Sequence, residues 1–170
     1  MATLFRALRL YALTAWVGGL IFFVVVAGIA FKVLPDAHTA GMVVRNSLIA
    51  IHRIGYAAAI LYILATLALL ATQRDSHPVR AVELALAIVM LGLTIYSQMS
   101  ILPRMETDRL TLGGDVDKAP PDAPARKHFE HLHSFSVKIE SAVLIEGLVL
   151  IALAPIYGID LEAHRFGAHY

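Results

Sequence analysis

The amino-acid sequence predicts an all-α membrane protein, an antiparallel bundle of four transmembrane helices. Of its 170 residues 58% are hydrophobic and only 16% are charged, with a mean hydropathy of +0.70. A soluble domain is typically about one quarter charged. The charges also cluster between four apolar runs, each long enough to cross the roughly 30 Å hydrocarbon core of a bilayer as about 20 helical residues.

The four predicted spans follow one another with short gaps. The first, residues 8–31, is longer than the apolar core of a signal peptide, so we interpret it as a retained helix. The second and third cover residues 52–72 and 79–102, and the fourth covers 134–158. Because lipid offers no hydrogen-bond partners to the backbone, each span should be an α-helix. We expect residues 1–170 to form a single transmembrane domain.

The connections predict which ends share a side of the membrane. The segments AGMVVRNSLIAIHRI and ARKHFEHLH keep helical character, so helices 2 and 4 should extend beyond the bilayer on one side. Residues 103–123 should form a flexible polar loop, and residues 159–170 a polar tail. Arg6 and Arg9 precede the continuous apolar run that starts at Leu10, which favours cytoplasmic termini, whereas the count of basic residues slightly favours the loop side.

Composition excludes several functional classes. The chain has no cysteine, which excludes disulfide frameworks, cysteine-ligated zinc, iron–sulfur clusters and thiol nucleophiles. The formal charge is +1 and no basic tract occurs, so no nucleic acid is expected as a partner. The lipid bilayer is the expected surrounding.

An ionisable side chain within a predicted span costs about 2.5–3.5 kcal/mol and therefore faces protein or water. The ionisable candidates are Glu83, Lys138, Glu140 and Glu146, with Gln98 as a neutral one. We interpret Glu83 as a carboxylate that the dipole favours near the start of its helix. Glu146 lies deeper, where it could take a proton or a cation, or hydrogen-bond to Ser97, Gln98 or Tyr62.

His52 and His133 each begin a helix that enters from the same side, so topology predicts that they lie at similar depth. Two neutral imidazoles on neighbouring helices could be the axial ligands of haem b, with basic side chains meeting its propionates. Those available are Arg45, Arg53, Arg104 and Lys138. Alternatively, both histidines are interfacial and hydrogen-bonded to loop groups. His133 shares a helix face with Glu140.

Two further patterns have a structural and a functional interpretation. In KHFEHLH, His128 and His131 share a helix face and could bind copper or zinc, with His133 as the third histidine of the motif turned away from His128. A solvated collar is the simpler interpretation. Trp16, next to the Gly18–Gly19 pair, favours close helix packing, although a flat cofactor could use the same gap.

The motifs AWVGGLIFF, IHRIGY, ILPRM and KHFEHLHSFSV resemble a family of small four-helix membrane proteins of unassigned function, whose animal member is called transmembrane protein 205. The resemblance covers roughly residues 8–155. The matching positions are Trp16, Gly18, Gly19, Phe22, Phe23, His52, Pro103, Phe129, Leu132, His133 and Ser136.

This chain departs from that family's pattern at one point. Members commonly carry an asparagine a few residues after the L-H-x-x-S motif, where this chain has Lys138 or Glu140. More weakly, the W-x-G-G opening and the helix-entry histidines are similar to copper-resistance inner-membrane proteins and to the haem-binding protoporphyrinogen oxidase of bacteria. The resemblances imply a bacterial inner-membrane location and supply no reaction.

Since no complete catalytic constellation stands out, we expect a non-enzymatic integral membrane protein. It would be an accessory subunit of a larger complex or a stand-alone bundle, in contact with other membrane subunits or with itself as a homo-oligomer. The first alternative is a redox protein that binds haem b, or copper, through His52 and His133. The second is a metal or proton transporter that uses Glu140, Glu146 and the histidines.

Overall fold

The computed structural model describes residues 1–72 and 78–154, apart from the side chain of Pro78, and within them the protein is built from helices, as predicted. A π-helical turn joins α3 to α4, so the two form one continuous rod. The bounds are α1 Ala2–Val33, α2 Ala37–Thr72, α3 Pro78–Tyr96, the π turn Ser97–Ile101, α4 Leu102–Thr111 and α5 Pro124–Leu153.

The rods pack in a closed arrangement. The interface between α1 and α2 is the most extensive, α3 contacts α2 and α5, and α5 returns to α1. Each rod therefore has two neighbours, and a shared core lies between them. The largest buried side chains of this core are Trp16, Tyr62, Leu13, Leu69, Met90, Ile101 and Leu150.

The connection between α1 and α2 is short and well capped. Leu34 adopts an extended conformation with φ −78° and ψ 148°, which ends α1. Asp36 then accepts two hydrogen bonds from Thr39, one from the backbone N–H at 2.7 Å and one from the hydroxyl at 2.9 Å. A side-chain oxygen in this position satisfies an otherwise free N–H at the start of a helix. The cap starts α2 at once, antiparallel to α1.

Two glycines allow the rods to approach closely. A Cβ on Gly55 would lie 2.8 Å from Trp16 Nε1, and a Cβ on Gly147 would lie 2.6 Å from Val17 Cγ2 and 3.2 Å from Met90 Cε. Gly147 is thus the point where α1, α3 and α5 meet. By contrast, Gly18 is exposed and a Cβ there would meet nothing within 4 Å.

Large apolar side chains cover much of the outside of the bundle. Examples are Phe22, Val25, Ile29, Leu64, Ile88 and Ile145, which are all about half exposed or more. Three helical segments are long and apolar enough to cross a membrane, namely Ala2–Val33, Ala37–Thr72 and Val79–Thr111. Such an apolar surface suits contact with lipid.

The fourth crossing stays a prediction. Within the described residues α5 is not among the helices apolar enough to cross, because Lys138, Glu140 and Glu146 interrupt its apolar part. The end of the predicted fourth span, residues 155–158, and the predicted tail lie outside the described residues.

One predicted boundary differs from the structure. The segment expected to be a flexible loop from residue 103 begins with helix α4, which continues to Thr111. The sequence predicts that the third span ends before Pro103. In the structure Pro103 occupies the first turn of α4, where its missing N–H is tolerated. Gly113 and Gly114, with φ of 76° and 95°, end the helix, since glycine adopts such angles without strain.

Replacement of Gly147 by alanine should lower the thermal stability of the protein in detergent. The added methyl would lie too close to the stiff side chain of Val17, and overpacking of this kind typically costs about 1–3 kcal/mol. The matched control is Gly18→Ala, which should leave the melting temperature unchanged or raise it, because alanine favours helix. Equal melting temperatures for Gly147→Ala and the wild type would contradict this account of the contact.

The Asp36 cap should weaken in acid. The two hydrogen bonds from Thr39 hold the pKa of the Asp36 carboxyl below its usual range. The cap therefore stabilises α2 above the unfolded pKa of about 3.9. This contribution is lost as the pH falls through the lower folded value. Amide exchange at Thr39 should quicken in that acid range and, for Asp36→Ala, at neutral pH as well, whereas Asp36→Asn should keep its protection in acid.

Candidate functional site

A buried histidine links three rods at the middle of the bundle. His52 on α2 has no exposed surface. Its Nδ1 lies 2.9 Å from Oε1 of Gln98 in the π turn, and its Nε2 lies 3.0 Å from Oε1 of Glu140 on α5. Ser97, also in the π turn, donates its hydroxyl to the same Glu140 oxygen at 2.8 Å. We call His52, Ser97, Gln98 and Glu140 the polar cluster.

The contacts of His52 constrain where hydrogen atoms can lie in the polar cluster. A carbonyl oxygen only accepts, so Nδ1 of His52 donates to Gln98. At the other side of the ring, either Nε2 also donates and His52 is an imidazolium, or Nε2 accepts and Glu140 carries the proton. Both arrangements contain one proton more than a neutral histidine beside an ionised carboxylate. With that proton the pair of His52 and Glu140 is neutral, and without it the pair is negative.

The two oxygens of Glu140 have different surroundings. Oε1 accepts hydrogen bonds at the polar cluster, whereas Oε2 is buried and has no hydrogen-bond partner within the described parts of the chain. A buried polar atom without a partner is uncommon and costly. The carboxyl group is therefore held by one oxygen and able to receive a further partner on the other.

The π turn explains how consecutive residues reach the same cluster. A π-helical turn is wider than an α-helical one and shifts the register of the side chains that follow. Ser97 and Gln98 both use it to reach into the bundle. Such turns occur frequently at functional sites.

A cavity of about 620 Å³ leads to the polar cluster from the side of the 112–123 loop. It lies between α1, α2, α4 and α5, with Phe129 near its outer end and Glu140 and Leu144 near its inner end. Leu144 follows Phe129 by fifteen residues, which corresponds to a depth of about 22 Å along α5. Its walls are mainly apolar, and they include Leu20, Phe23, Val24, Met42 and Leu48.

Charged side chains surround the outer part of the cavity. Glu106 on α4 accepts two hydrogen bonds from Arg109, at 2.7 and 2.9 Å, and lies 3.6 Å from Arg45 Nε. Arg109 also donates to the carbonyl of Gly114 at 2.9 Å. Both arginines are thus held against an acidic partner at the outer end.

The structure does not bring His52 and His133 together. His52 meets α5 at Glu140, seven residues and about 10 Å beyond His133. His133 is exposed and lines the cavity. Its ring is parallel to that of Phe129, with the two ring centres 6.4 Å apart. Hydropathy suggested that both begin a span, but His52 is the sixteenth of the 36 residues of α2. With both ring nitrogens of His52 engaged, this geometry does not fit a haem held by these two histidines.

The other candidate ligands are dispersed. Arg45 pairs with Glu106, while Arg53, Arg104 and Lys138 are exposed. His128 lies 2.8 Å from Asp108, and His131 is exposed. In the parts of the chain that the structure describes, no three His, Asp or Glu side chains are arranged to hold a metal ion.

Trp16 is buried, and its ring edge lies over Gly55 of α2. Trp16 thus packs α1 against α2. Helix packing is one of the two interpretations given for its motif. Of the neighbouring glycine pair, Gly19 faces Ile51, since a Cβ there would lie 3.3 Å from Ile51 Cδ1.

A second buried cluster lies nearer the chain termini. Arg9 on α1 contacts Glu83 on α3 directly and donates to the Tyr62 hydroxyl at 2.8 Å. The carbon of its guanidinium lies 4.9 Å from the centre of the Tyr62 ring. Glu83, interpreted as a carboxylate near a helix start, is fully buried and is one half of an ion pair. The sequence predicts Arg9 at the membrane flank, but the structure buries it against Glu83; its place between Leu8 and Leu10 is the sequence signal for a buried partner.

Glu146 does not contact the groups proposed for it. Ser97 and Gln98 belong to the polar cluster and Tyr62 to the Arg9 cluster, while Glu146 Oε2 is buried without a hydrogen-bond partner in the described residues. It does not line the cavity.

Long apolar helices around buried ionisable side chains are the features of an integral membrane protein. The chain belongs to the family described as a domain of unknown function (DUF4149), whose model matches residues 11–109. The match includes three members of the polar cluster, His52, Ser97 and Gln98, and ends before Glu140. No curated protein and no solved structure matches the chain.

Glu83→Leu alone should destabilise the protein strongly, because it leaves the guanidinium of Arg9 buried without a counter-charge. Removal of one partner of a buried pair costs about 3–5 kcal/mol of the free energy of unfolding. The double variant Arg9→Met/Glu83→Leu should recover most of this loss in thermal denaturation. Arg6→Met, which removes an exposed arginine of the same helix, should have little effect. A double variant that shows the sum of the single losses would contradict the pairing.

Proposed function

We propose that the protein is a proton-linked membrane transporter, with His52 and Glu140 as its proton-binding site. The observation that carries the proposal is that both ring nitrogens of the buried His52 face oxygen atoms. That arrangement requires one shared proton. A proton held at a cavity can be exchanged with what enters the cavity.

The position of the polar cluster supports this function. His52 lies near the middle of α2, and Glu140 is the seventeenth of the 30 residues of α5. Ionisable side chains deep within membrane helices are costly and commonly mark ion or proton pathways. Transporter sites also occur where a membrane helix departs from regular α geometry, as the rod of α3 and α4 does at Ser97–Ile101.

Access to the polar cluster is one-sided, which also supports transport. The cavity reaches Glu140 from the side of the 112–123 loop. Beyond it, the contact of Gly147 with Val17 and Met90 closes the bundle about 10 Å further along α5. A site open to one side and closed to the other by a packed layer is one state of an alternating-access cycle.

The other functions considered from the sequence are less well supported. An accessory subunit or a homo-oligomer stays a prediction, since the exposed apolar surface would suit lipid and protein partners alike. A haem or copper protein is not favoured by a histidine whose two ring nitrogens already contact Gln98 and Glu140.

Proton counting on the purified protein tests the site. Between mildly acidic and alkaline pH, the wild-type protein should release about one proton more than the double variant His52→Ala/Glu140→Gln, because either single variant leaves one group that can still bind a proton. Asp122→Asn, which alters an exposed carboxylate that does not line the cavity, should match the wild type apart from its own group. Equal proton release from the wild type and the double variant would contradict the proposal.

Transport itself is tested in liposomes that contain a pH-sensitive dye. A gradient of a transported substrate, applied on the loop side, should change the internal pH with the wild-type protein. The change should be absent for Glu140→Gln and retained for Asp122→Asn, which alters an exposed carboxylate that does not line the cavity. A flux that persists in Glu140→Gln would show that the path avoids the polar cluster.

A further inference from the structure

We propose that the cavity binds a hydrophobic monovalent cation, of the ammonium or phosphonium class, in exchange for the proton shared by His52 and Glu140. The inference rests on the proposed function and adds its substrate class. Three features of the described residues carry it: the apolar walls, the charge balance of the lining and the free oxygen of Glu140.

The walls suit a ligand with an apolar body. A volume of about 620 Å³ falls within the roughly 300–1,000 Å³ of small-molecule sites. Aliphatic and aromatic side chains from α1, α2, α4 and α5 form most of the surface. Phe31 and Phe129 line the outer part, and aromatic faces attract cations.

The charge of the lining favours a cation over an anion. Four carboxylates line the cavity against the guanidinium groups of Arg45 and Arg109, namely Glu106, Asp117, Glu130 and Glu140. Glu106 pairs with both arginines and Glu130 pairs with Arg126, which leaves Asp117 and Glu140 without an arginine partner in the described residues. Arg109 is hydrogen-bonded to Glu106, whereas Arg45 lies 3.6 Å from it and its Nε has no hydrogen-bond partner in that part of the chain.

The inner end provides a single site for positive charge. Glu140 Oε2 is buried and has no hydrogen-bond partner in the described chain. The nearest lining arginine along α2, Arg45, precedes His52 by seven residues, or about 10 Å. The Tyr56 phenol on α2 also lies within electrostatic reach of Glu140 and is neutral at pH 7. Lys138, two residues before Glu140 on α5, is exposed and lies on the opposite side of the helix. Ser97 and Gln98 from the π turn do not ionise, and α1 contributes only apolar lining.

Exchange of the proton for the cation balances the charge. When the proton leaves the pair, His52 is neutral and Glu140 carries one negative charge in apolar surroundings. A cation at Oε2 restores neutrality, while His52 and Ser97 continue to hold Oε1. Proton and cation thus compete for the same carboxylate, and one is released as the other binds.

Tetraphenylphosphonium and tetraphenylborate provide a matched pair of probes, since they share shape and size and differ in the sign of charge. The purified protein in detergent should bind the phosphonium saturably in equilibrium dialysis and the borate no better than the empty detergent does. Phosphonium affinity should rise with pH, by up to about tenfold per unit where the pair loses its proton. In weak buffer, binding should release about one proton per cation.

Three variants test the site. Glu140→Gln should lower phosphonium affinity at least tenfold, and Asp122→Asn, at an exposed carboxylate that does not line the cavity, should leave it within a factor of two. Gly41→Phe, at a lining position where a Cβ meets nothing within 4 Å, should fold normally and weaken binding by filling the cavity. Melting temperatures establish that each variant is folded. Equal binding of the borate, or phosphonium binding unaffected by Glu140→Gln and Gly41→Phe, would overturn the inference.

The two proposals fail in different ways. Phosphonium binding that depends on Glu140 but is independent of pH and releases no proton would overturn both the exchange and the proton-linked function, and leave a cation site. Conversely, a shared proton seen in the titration together with no phosphonium binding would overturn the substrate class and leave the proton site intact.

Discussion

The contact of His52 with Gln98 and Glu140 is the constraint on which the centre of this protein depends. It joins α2, the π turn and α5 inside the bundle, because both ring nitrogens of the buried imidazole contact side chains of the other two elements. In the function proposed above, the contact that holds these elements together also binds the proton.

A second polar contact, between Arg9 and Glu83, ties α1 to α3 on the terminal side, and Gly147 brings α1, α3 and α5 together between the two. Polar contacts at two depths thus lie on either side of a tightly packed layer. The cavity lies on the side of this layer that holds Glu140, between α1, α2, α4 and α5.

Hydropathy and helical periodicity predict the long helices well, including the early start of α2 and of α5, because these signals are carried by many residues. They also identify His52, Gln98 and Glu140 individually as unusual. They do not predict that His52 pairs with Glu140. Because Arg45 and Asn46 are polar, the first half of α2 resembles the edge of a membrane span, and the sequence therefore predicts His52 at the same depth as His133. The π turn depends on the tertiary contacts of Ser97 and Gln98, and the sequence SQMSI does not predict it.

The protonation state of the His52–Glu140 pair is the most direct test of this account, and nitrogen and carbon NMR on selectively labelled protein measures it. At neutral pH we predict either two protonated ring nitrogens beside an ionised Glu140, or a single Nδ1 proton beside a protonated Glu140. A neutral His52 with its proton on Nε2 beside an ionised Glu140, as a rotated Gln98 amide would allow, would contradict the shared proton.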